Sequence, residues 1–187
     1  MDDKKTPLKE ILFTVVVVSI VIMSLVVVGS IQKAADKPHG VGTGENEFWT
    51  NYPTVHPLSG SAVPHPSWAL AALETGAVMV LSHSELCIPC KNMVAYCDNI
   101  YDDHAGSMSY FDLLHGTDEP RASDALSIYD PDDAPNYVPL TIVLTKVKDA
   151  NGSAVIAWHG WEGEVAESTL DSWVHQALKY YQECSGV

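Results

Sequence analysis

Two cysteines, Cys87 and Cys90, stand between a short apolar run and a stretch with helical periodicity. The apolar run, residues 77–81, has the length and composition of a strand that is buried on both faces. After the cysteines, apolar side chains recur at spacings of three and four residues, which is typical of one packed face of a helix. A cysteine pair at such a junction is compatible with a redox centre, half of a metal site, or an inert staple.

A position at the start of a helix favours reactive sulfur chemistry. The first helical turn presents N–H groups without partners and the positive end of the helix dipole, and both stabilise a thiolate. Cysteines of Cys-x-x-Cys pairs have pKa values of about 3.5 to 7.5, against about 8.5 for a free thiol. Cys87 is therefore predicted to attack, and Cys90 to resolve the mixed disulfide one turn later. Pro89 fits the first turn, because the N–H that proline lacks would have no partner there.

The remaining periodicity predicts alternating helices and strands. The predicted elements are a helix capped by Ser67 and ended near Gly76, a strand at 77–81, a helix from the cysteine pair, a strand at 107–114, a helix at 119–130, strands at 138–147 and 153–160, and a helix at 164–184. Asn151-Gly152 predicts a tight turn between the last two strands. A crossover section followed by a hairpin predicts a mixed sheet with helices on both faces.

This arrangement resembles the thioredoxin-like family. The matching residues are Cys87, Pro89, Cys90 and Lys91 of the motif, and Val138-Pro139 before a later strand. The resemblance covers about residues 67–184 and assigns residues 67–187 to one domain. It implies an α/β fold with a mixed four-stranded sheet flanked by helices. It also implies a thiol-disulfide oxidoreductase whose redox group is the Cys87–Cys90 disulfide itself, with no further cofactor or metal. Its partners would be proteins with thiols or disulfides and an upstream redox partner.

The resemblance further implies a cis peptide bond before Pro139, beside the active-site sulfurs. Such bonds are a small minority even before proline, so the sequence by itself does not predict this geometry. A cis bond there would expose the backbone of Val138 near Cys87, where an extended substrate could pair by strand addition. Val138 and Pro139 are therefore expected to shape the substrate groove.

The chain departs from the family pattern at two positions near the motif. Leu86 stands where these proteins commonly have tryptophan, and Leu81 stands where they commonly bury an aspartate that moves protons. The absence of that aspartate argues against a fast general reductase. Glu85 or His83 could take over its role, or both could be ordinary surface residues.

Two further cysteines, Cys97 and Cys184, lie outside the motif. In the fold that the resemblance implies, their helices cover the same face of the sheet, so a structural disulfide between them is geometrically allowed. Two independent thiols are the alternative. The sequence leaves both pairings open.

The N-terminal part of the chain predicts a membrane anchor. Residues 11–31 carry no ionisable side chain, and a helix of that length spans the hydrocarbon core of a bilayer, about 30 Å. The run is longer than usual for a cleaved signal peptide, the alternative interpretation. Residues 1–10 then form a tail and residues 32–66 a tether rich in proline and glycine. Lysines are slightly more frequent before the span, which favours a cytoplasmic N-terminus and an extracytoplasmic domain.

Charge and motif content exclude several functions. The formal net charge is −14 and Arg121 is the only arginine, so nucleic acid is an unsuitable partner. The acidic stretch 98–133 is interpreted as a solvated face, with a docking surface for a basic partner as the alternative. Dispersed histidines provide no second half for a zinc site. Two rivals to the enzyme remain: a carrier that binds cuprous ion through Cys87 and Cys90 alone, and a redox-inert interaction module.

Overall fold

The computed structural model describes residues 39–135 and 137–186. Its elements are β1 (Gly40–Gly42), β2 (Glu47–Trp49), α1 (Ser67–Ala72), β3 (Ala77–His83), α2 (Ile88–Asp103), β4 (Met108–Leu114), α3 (Pro120–Tyr129), β5 (Leu140–Lys148), β6 (Ala154–Glu162) and α4 (Glu167–Ser185). The strands form one mixed sheet in the order β1-β2-β6-β5-β3-β4. Strand β3 pairs parallel with β4 and antiparallel with β5, and β5 pairs antiparallel with β6.

The prediction of four strands is wrong, since the sheet has six. The two additional strands, β1 and β2, come from the segment interpreted as a tether, so the ordered structure begins well before the predicted boundary at Ser67. Phe48, Trp49 and Tyr52 are buried, and Trp49 pairs with Trp158 on β6. A strand of three residues is too short to show the alternation of apolar and polar residues by which strands are predicted from sequence. The buried aromatic side chains hold this segment on the sheet.

The two faces of the sheet are covered by different helices. Helices α1 and α3 pack on one face, around Leu73, Leu126 and Trp158. Helices α2 and α4 pack on the other, where Met93 and Cys97 of α2 share a cluster with Leu170 and Trp173 of α4 and with alternate residues of β3. Because side chains of β3 alternate between the faces, odd-numbered residues of this strand point toward α2.

The predicted helices and strands of the domain are present, with shifts of a few residues at their ends. Pro66, not Ser67, occupies the N-cap of α1. Gly76 is not a helix C-terminus: a Cβ at this position would lie 2.6 Å from the carbonyl oxygen of Ser107, so glycine permits a close approach of two backbones. The predicted turn between β5 and β6 is confirmed, with Gly152 at a φ of 80°.

The predicted tail 1–10 and anchor 11–31 lie outside the described residues. Within 39–135 and 137–186, no helix combines the length and the apolar character needed to cross a membrane.

Candidate redox site

The cysteine pair lies where β3 passes into α2. Cys87 is the N-cap residue of α2, and Pro89 lies in the first turn, where its missing N–H leaves no helical hydrogen bond unmade. Cys87 and Cys90 are joined by a disulfide, and their Cα atoms are 5.2 Å apart. The backbone N–H of Cys90 points at Cys87 Sγ, at a distance of 3.2 Å. The same N–H would stabilise a thiolate on Cys87 once the disulfide is reduced.

The two sulfurs differ in their access to solvent. Cys87 is partly exposed, whereas Cys90 is 1% exposed. An incoming sulfur from another protein can therefore reach Cys87 before Cys90. Cys87 thus lies on the outside and Cys90 behind it, and their roles as attacking and resolving cysteines stay predictions.

The peptide bond between Val138 and Pro139 is cis, as the resemblance implied. It lies just before β5 and faces the cysteine pair: Cys87 Sγ is 3.4 Å from the carbonyl oxygen of Val138. Pro139 is buried and Val138 is partly exposed. The structure thus brings together the motif and the residues predicted to shape a groove beside it.

Exposed apolar side chains surround the cysteine pair. Leu86 is 96% exposed and Ile88 is 79% exposed, on either side of Cys87, and Tyr137 before the cis proline is 59% exposed. An apolar side chain this exposed gains free energy when another surface covers it. In the sequence, Leu86 stood out only as a departure from the family pattern, and no prediction was attached to Ile88 or Tyr137. Apolar residues on both sides of a predicted reactive cysteine were the sequence signal from which this exposed surface could have been predicted.

Behind the pair, Leu81 is fully buried at the position where the resemblance implied a carboxylate. A carboxylate nevertheless lies on the neighbouring strand, because Leu81 of β3 is paired in register with Asp112 of β4. His83 Nε2 is 2.6 Å from Asp112 Oδ1, a close ion-pair contact that is not aligned as a hydrogen bond. The side chain of His83 is 13% exposed.

His83 and the buried cysteine share a surface cavity of about 320 Å³. Its lining comprises His83, Ser84, Glu85, Cys90, Lys91 and Val94. The imidazole and the second sulfur therefore border one space that water can enter. Glu85, the other candidate from sequence, lines the same cavity but is itself exposed, as is Lys91.

Two further titratable groups lie near the pair of His83 and Asp112. Burial raises the pKa of Asp98 on α2, and the carboxylates of Asp112 and Asp102 raise it further. On the other side, burial lowers the pKa of His115, and the proximity of His83 lowers it further. His83 is thus the imidazole that contacts the carboxylate, and His115 lies near His83.

Cys97 and Cys184 are both free thiols in the structure, so of the two alternatives that the sequence left open, independent thiols and not a disulfide are found. Their helices do cover the same face, but Cys97 lies near Tyr110 of β4 while Cys184 lies near Lys146 and Lys148 at the end of β5. Strand β3 separates β4 from β5, which places the two neighbourhoods about 10 Å apart across the sheet. A disulfide requires Cα atoms within about 7 Å.

The strand order around β3, the disulfide at the start of α2 and the facing cis proline are the features of a thioredoxin-like fold with a dithiol–disulfide centre. No protein-family model matches the chain, and no curated protein is similar to it in sequence. Solved structures similar to it are thioredoxin-like proteins. Chloroplastic thioredoxin z is 17% identical with a TM-score of 0.41, covering 59% of this chain and 88% of its own.

Two other solved structures are similar to the chain over a comparable share of its length. A thioredoxin from Thermus thermophilus is 20% identical with a TM-score of 0.41, covering 66% of this chain and 90% of its own. A thiol:disulfide interchange protein of the thioredoxin family from Chlorobium tepidum is 16% identical with a TM-score of 0.39, covering 58% and 83%. The assignment of the fold rests on the strand order and site geometry of this chain.

Proposed function

We propose that this protein is a thiol-disulfide oxidoreductase that exchanges disulfides with protein substrates. The observation that carries the proposal is the pairing of a partly exposed Cys87 with a buried Cys90 at the start of α2. Helix-start N–H groups stabilise the thiolate that attacks, and the second sulfur lies within bonding distance to complete the exchange.

In the reducing direction, the Cys87 thiolate attacks one sulfur of a substrate disulfide. A Cys87–substrate bond forms, the substrate's S–S bond breaks, and the departing substrate sulfur takes up a proton. Cys90 then loses its proton and attacks Cys87 Sγ, which re-forms the intramolecular disulfide and releases the second substrate thiolate. Two electrons pass from the pair to the substrate, and an upstream dithiol must return them. Oxidation of a substrate is the reverse sequence, and the relative reduction potentials set the direction.

The second step needs a group that accepts the proton of the buried Cys90. We assign this task to His83, because it borders the same cavity as Cys90 and contacts Asp112. Asp112 Oδ1 lies 2.6 Å from His83 Nε2, where a carboxylate would stabilise the charge that the ring gains when the proton arrives. Water in the cavity can carry the proton between sulfur and imidazole.

Substrate binding is assigned to the surface around Cys87. An extended substrate segment would lie along Val138, whose carbonyl is 3.4 Å from Cys87 Sγ, and would cover the exposed side chains of Leu86 and Ile88. Apolar residues beside the substrate cysteine would fit this rim.

The test uses the 187-residue chain and a disulfide-bonded protein substrate, with a small dithiol as the source of electrons. The unmodified chain is expected to accelerate reduction of the substrate. Cys87→Ser should abolish the acceleration, whereas Cys90→Ser should accumulate a covalent complex with the substrate that a reductant releases. Cys184→Ser is the matched control and should retain activity. Equal activity in Cys87→Ser and the unmodified chain would overturn the proposal.

The same variants separate the rival functions. A cuprous carrier would bind one cuprous ion through the reduced pair without accelerating disulfide exchange, and a redox-inert module would do neither. Trapping of a substrate by Cys90→Ser is expected of the enzyme alone.

We also propose, from the sequence, that residues 11–31 anchor the chain in a bilayer with the domain outside the cytoplasm. The apolar run is long enough for one span. Retention of the chain in membranes after alkaline washing, together with protease access to the domain from the non-cytoplasmic side, is expected. A soluble chain lacking its first residues would indicate a cleaved signal peptide instead.

A further inference from the structure

Two histidines and an aspartate converge at the far end of α2 from the cysteine pair. His104 is the C-cap residue of α2, and Asp171 and His175 lie one turn apart on α4. One ligand atom from each of the three side chains lies within 4.8 Å of the other two. Since α2 has 16 residues, its two ends are about 24 Å apart, so this cluster is separate from the redox site.

Two of the three separations within the cluster match those of ligands around a tetrahedral cation. Asp171 Oδ1 is 3.4 Å from His104 Nε2 and 3.3 Å from His175 Nδ1. Ligands bound to zinc at about 2.0 to 2.1 Å in a tetrahedron lie about 3.3 to 3.4 Å from one another. The carboxylate oxygen is therefore placed at a coordination spacing from both ring nitrogens.

We propose that His104, Asp171 and His175 form a binding site for a divalent cation of the zinc type, linking the end of α2 to α4. Two imidazole nitrogens and one carboxylate oxygen are a donor set that zinc accepts, with water as the fourth ligand. The negative end of the α2 dipole also favours a cation beside its C-cap residue.

The surroundings hold the ligands in place. One turn or more before His104, the amide of Asn99 donates a hydrogen bond to Glu167 Oε1 at 2.9 Å, which ties α2 to α4 beside the cluster. His104 is anchored by its backbone N–H, which donates to the carbonyls of Ile100 and Tyr101. The side chain of His104 is 15% exposed and that of His175 is 63% exposed, so the site is open to solvent on one side.

Binding requires one proton to move. His175 Nδ1 is also 3.1 Å from the backbone carbonyl of Asp171. In the neutral tautomer that donates to this carbonyl, Nδ1 carries the ring's single N–H hydrogen; when the cation binds at Nδ1, that hydrogen passes to solvent and Nε2 takes one up from solvent, so the ring stays neutral. No other bond changes.

The experiment titrates zinc into the chelator-treated 187-residue chain with Cys87 and Cys90 oxidised, and follows heat of binding and thermal unfolding. One zinc per chain is expected, with a higher unfolding temperature in its presence. His104→Gln and His175→Gln should each weaken binding by at least about tenfold, the lower end of what even outer-shell ligand changes cause. Asp103→Asn, an exposed carboxylate change next to His104, is the matched control and should bind as the unmodified chain does.

The visible absorption of bound cobalt provides a second measurement, because side chains with only a structural role would not produce it. Cobalt in this site is expected to show the visible absorption of a tetrahedral nitrogen and oxygen environment, without a sulfur-to-metal band, and His175→Gln should abolish it. Equal zinc affinity in His175→Gln and the unmodified chain, or cobalt spectra with sulfur ligation, would overturn the site. Because the cysteine pair stays oxidised, this outcome is independent of the oxidoreductase proposal.

Discussion

Leu81 of β3 lies in register with Asp112 of β4, on the face of the sheet that α2 covers. The position at which the resemblance implied a buried carboxylate is apolar, and a carboxylate stands one strand away, in contact with His83. Neighbouring strands are about 5 Å apart, so the Asp112 carboxylate lies about that far from the position of Leu81. The imidazole of His83 contacts this carboxylate and also lines the cavity beside Cys90. In the proposed function, His83 in contact with Asp112 takes the place of that carboxylate as the proton acceptor.

His83→Gln is expected to slow substrate reduction by about 10²-fold, the lower end of general acid–base contributions. Asp112→Asn should slow it less, because the imidazole remains. Rates measured across a pH series should change in profile for His83→Gln as well as in magnitude. Glu85→Gln is the matched control, since Glu85 lines the same cavity but is exposed. A loss at Glu85 equal to that at His83 would contradict the assignment.

Leu86→Ser and Ile88→Ser are expected to raise the KM for a protein substrate by about tenfold, because each removes an apolar side chain worth roughly 1.5 kcal/mol or more when covered. The turnover number should change little. Leu58→Ser, another exposed apolar position at 56% exposure, is the control and should leave KM unchanged. Steady-state kinetics that show a lower turnover number with an unchanged KM would indicate that these side chains do not contact the substrate.

Burial of His159 predicts that stability falls as the solution becomes acidic. Desolvation lowers its pKa from 6.5 to about 4, partly offset by the contact of its ring with the Glu47 carbonyl. Protonation therefore favours the unfolded chain, and the free energy of unfolding should decline from about pH 6.5 down to about pH 4, by roughly 3 kcal/mol from this group. Urea unfolding should show a shallower decline in His159→Gln. Exposed His175→Gln, with a chelator present, should keep the original slope.

Phe48→Ala is expected to lower the free energy of unfolding by about 3 to 5 kcal/mol. Phe48 is fully buried and its ring contacts that of Trp173 with centroids 4.8 Å apart. Val41→Ala, at a strand position 42% exposed, should cost far less. Denaturant titration of both variants measures these losses. If the segment were the loose tether predicted from sequence, neither variant would change the free energy of unfolding.

A mass map of the non-reduced, alkylated chain should contain a Cys87–Cys90 disulfide and two alkylated cysteines. Burial raises the pKa of Cys97 to about 12, with the carboxylates of Asp98 and Asp112 adding to the shift, so alkylation of this thiol in the folded chain should be slow. Cys184 is more accessible and should react first. Recovery of a Cys97–Cys184 peptide pair would refute the arrangement described.

Much of the fold was predictable because the elements near the site are long enough to show a period. The apolar run at 77–81 and the three-and-four spacing after Cys90 were sufficient to locate β3 and α2. The strands β1 and β2 were not predictable, since three residues among glycines carry no period and their stability comes from contacts with distant aromatic residues such as Trp158.

The candidate site was predictable only where it is local in sequence. The Cys-Ile-Pro-Cys motif gave the positions of both sulfurs, and the resemblance gave Pro139. Asp112 was interpreted as part of a solvated acidic stretch, because its contact with His83 depends on the register of β3 and β4. A carboxylate between apolar residues inside a predicted strand was the one available hint.

In the proposed function, the burial of Cys90 behind Cys87 would also let the site remove adducts from its own exposed sulfur. A small cellular thiol that becomes attached to Cys87 occupies the position of a substrate, and the neighbouring sulfur can expel it without help from another protein. Oxidative adducts at the exposed sulfur would therefore be short-lived, and the centre would return by itself to the intramolecular disulfide.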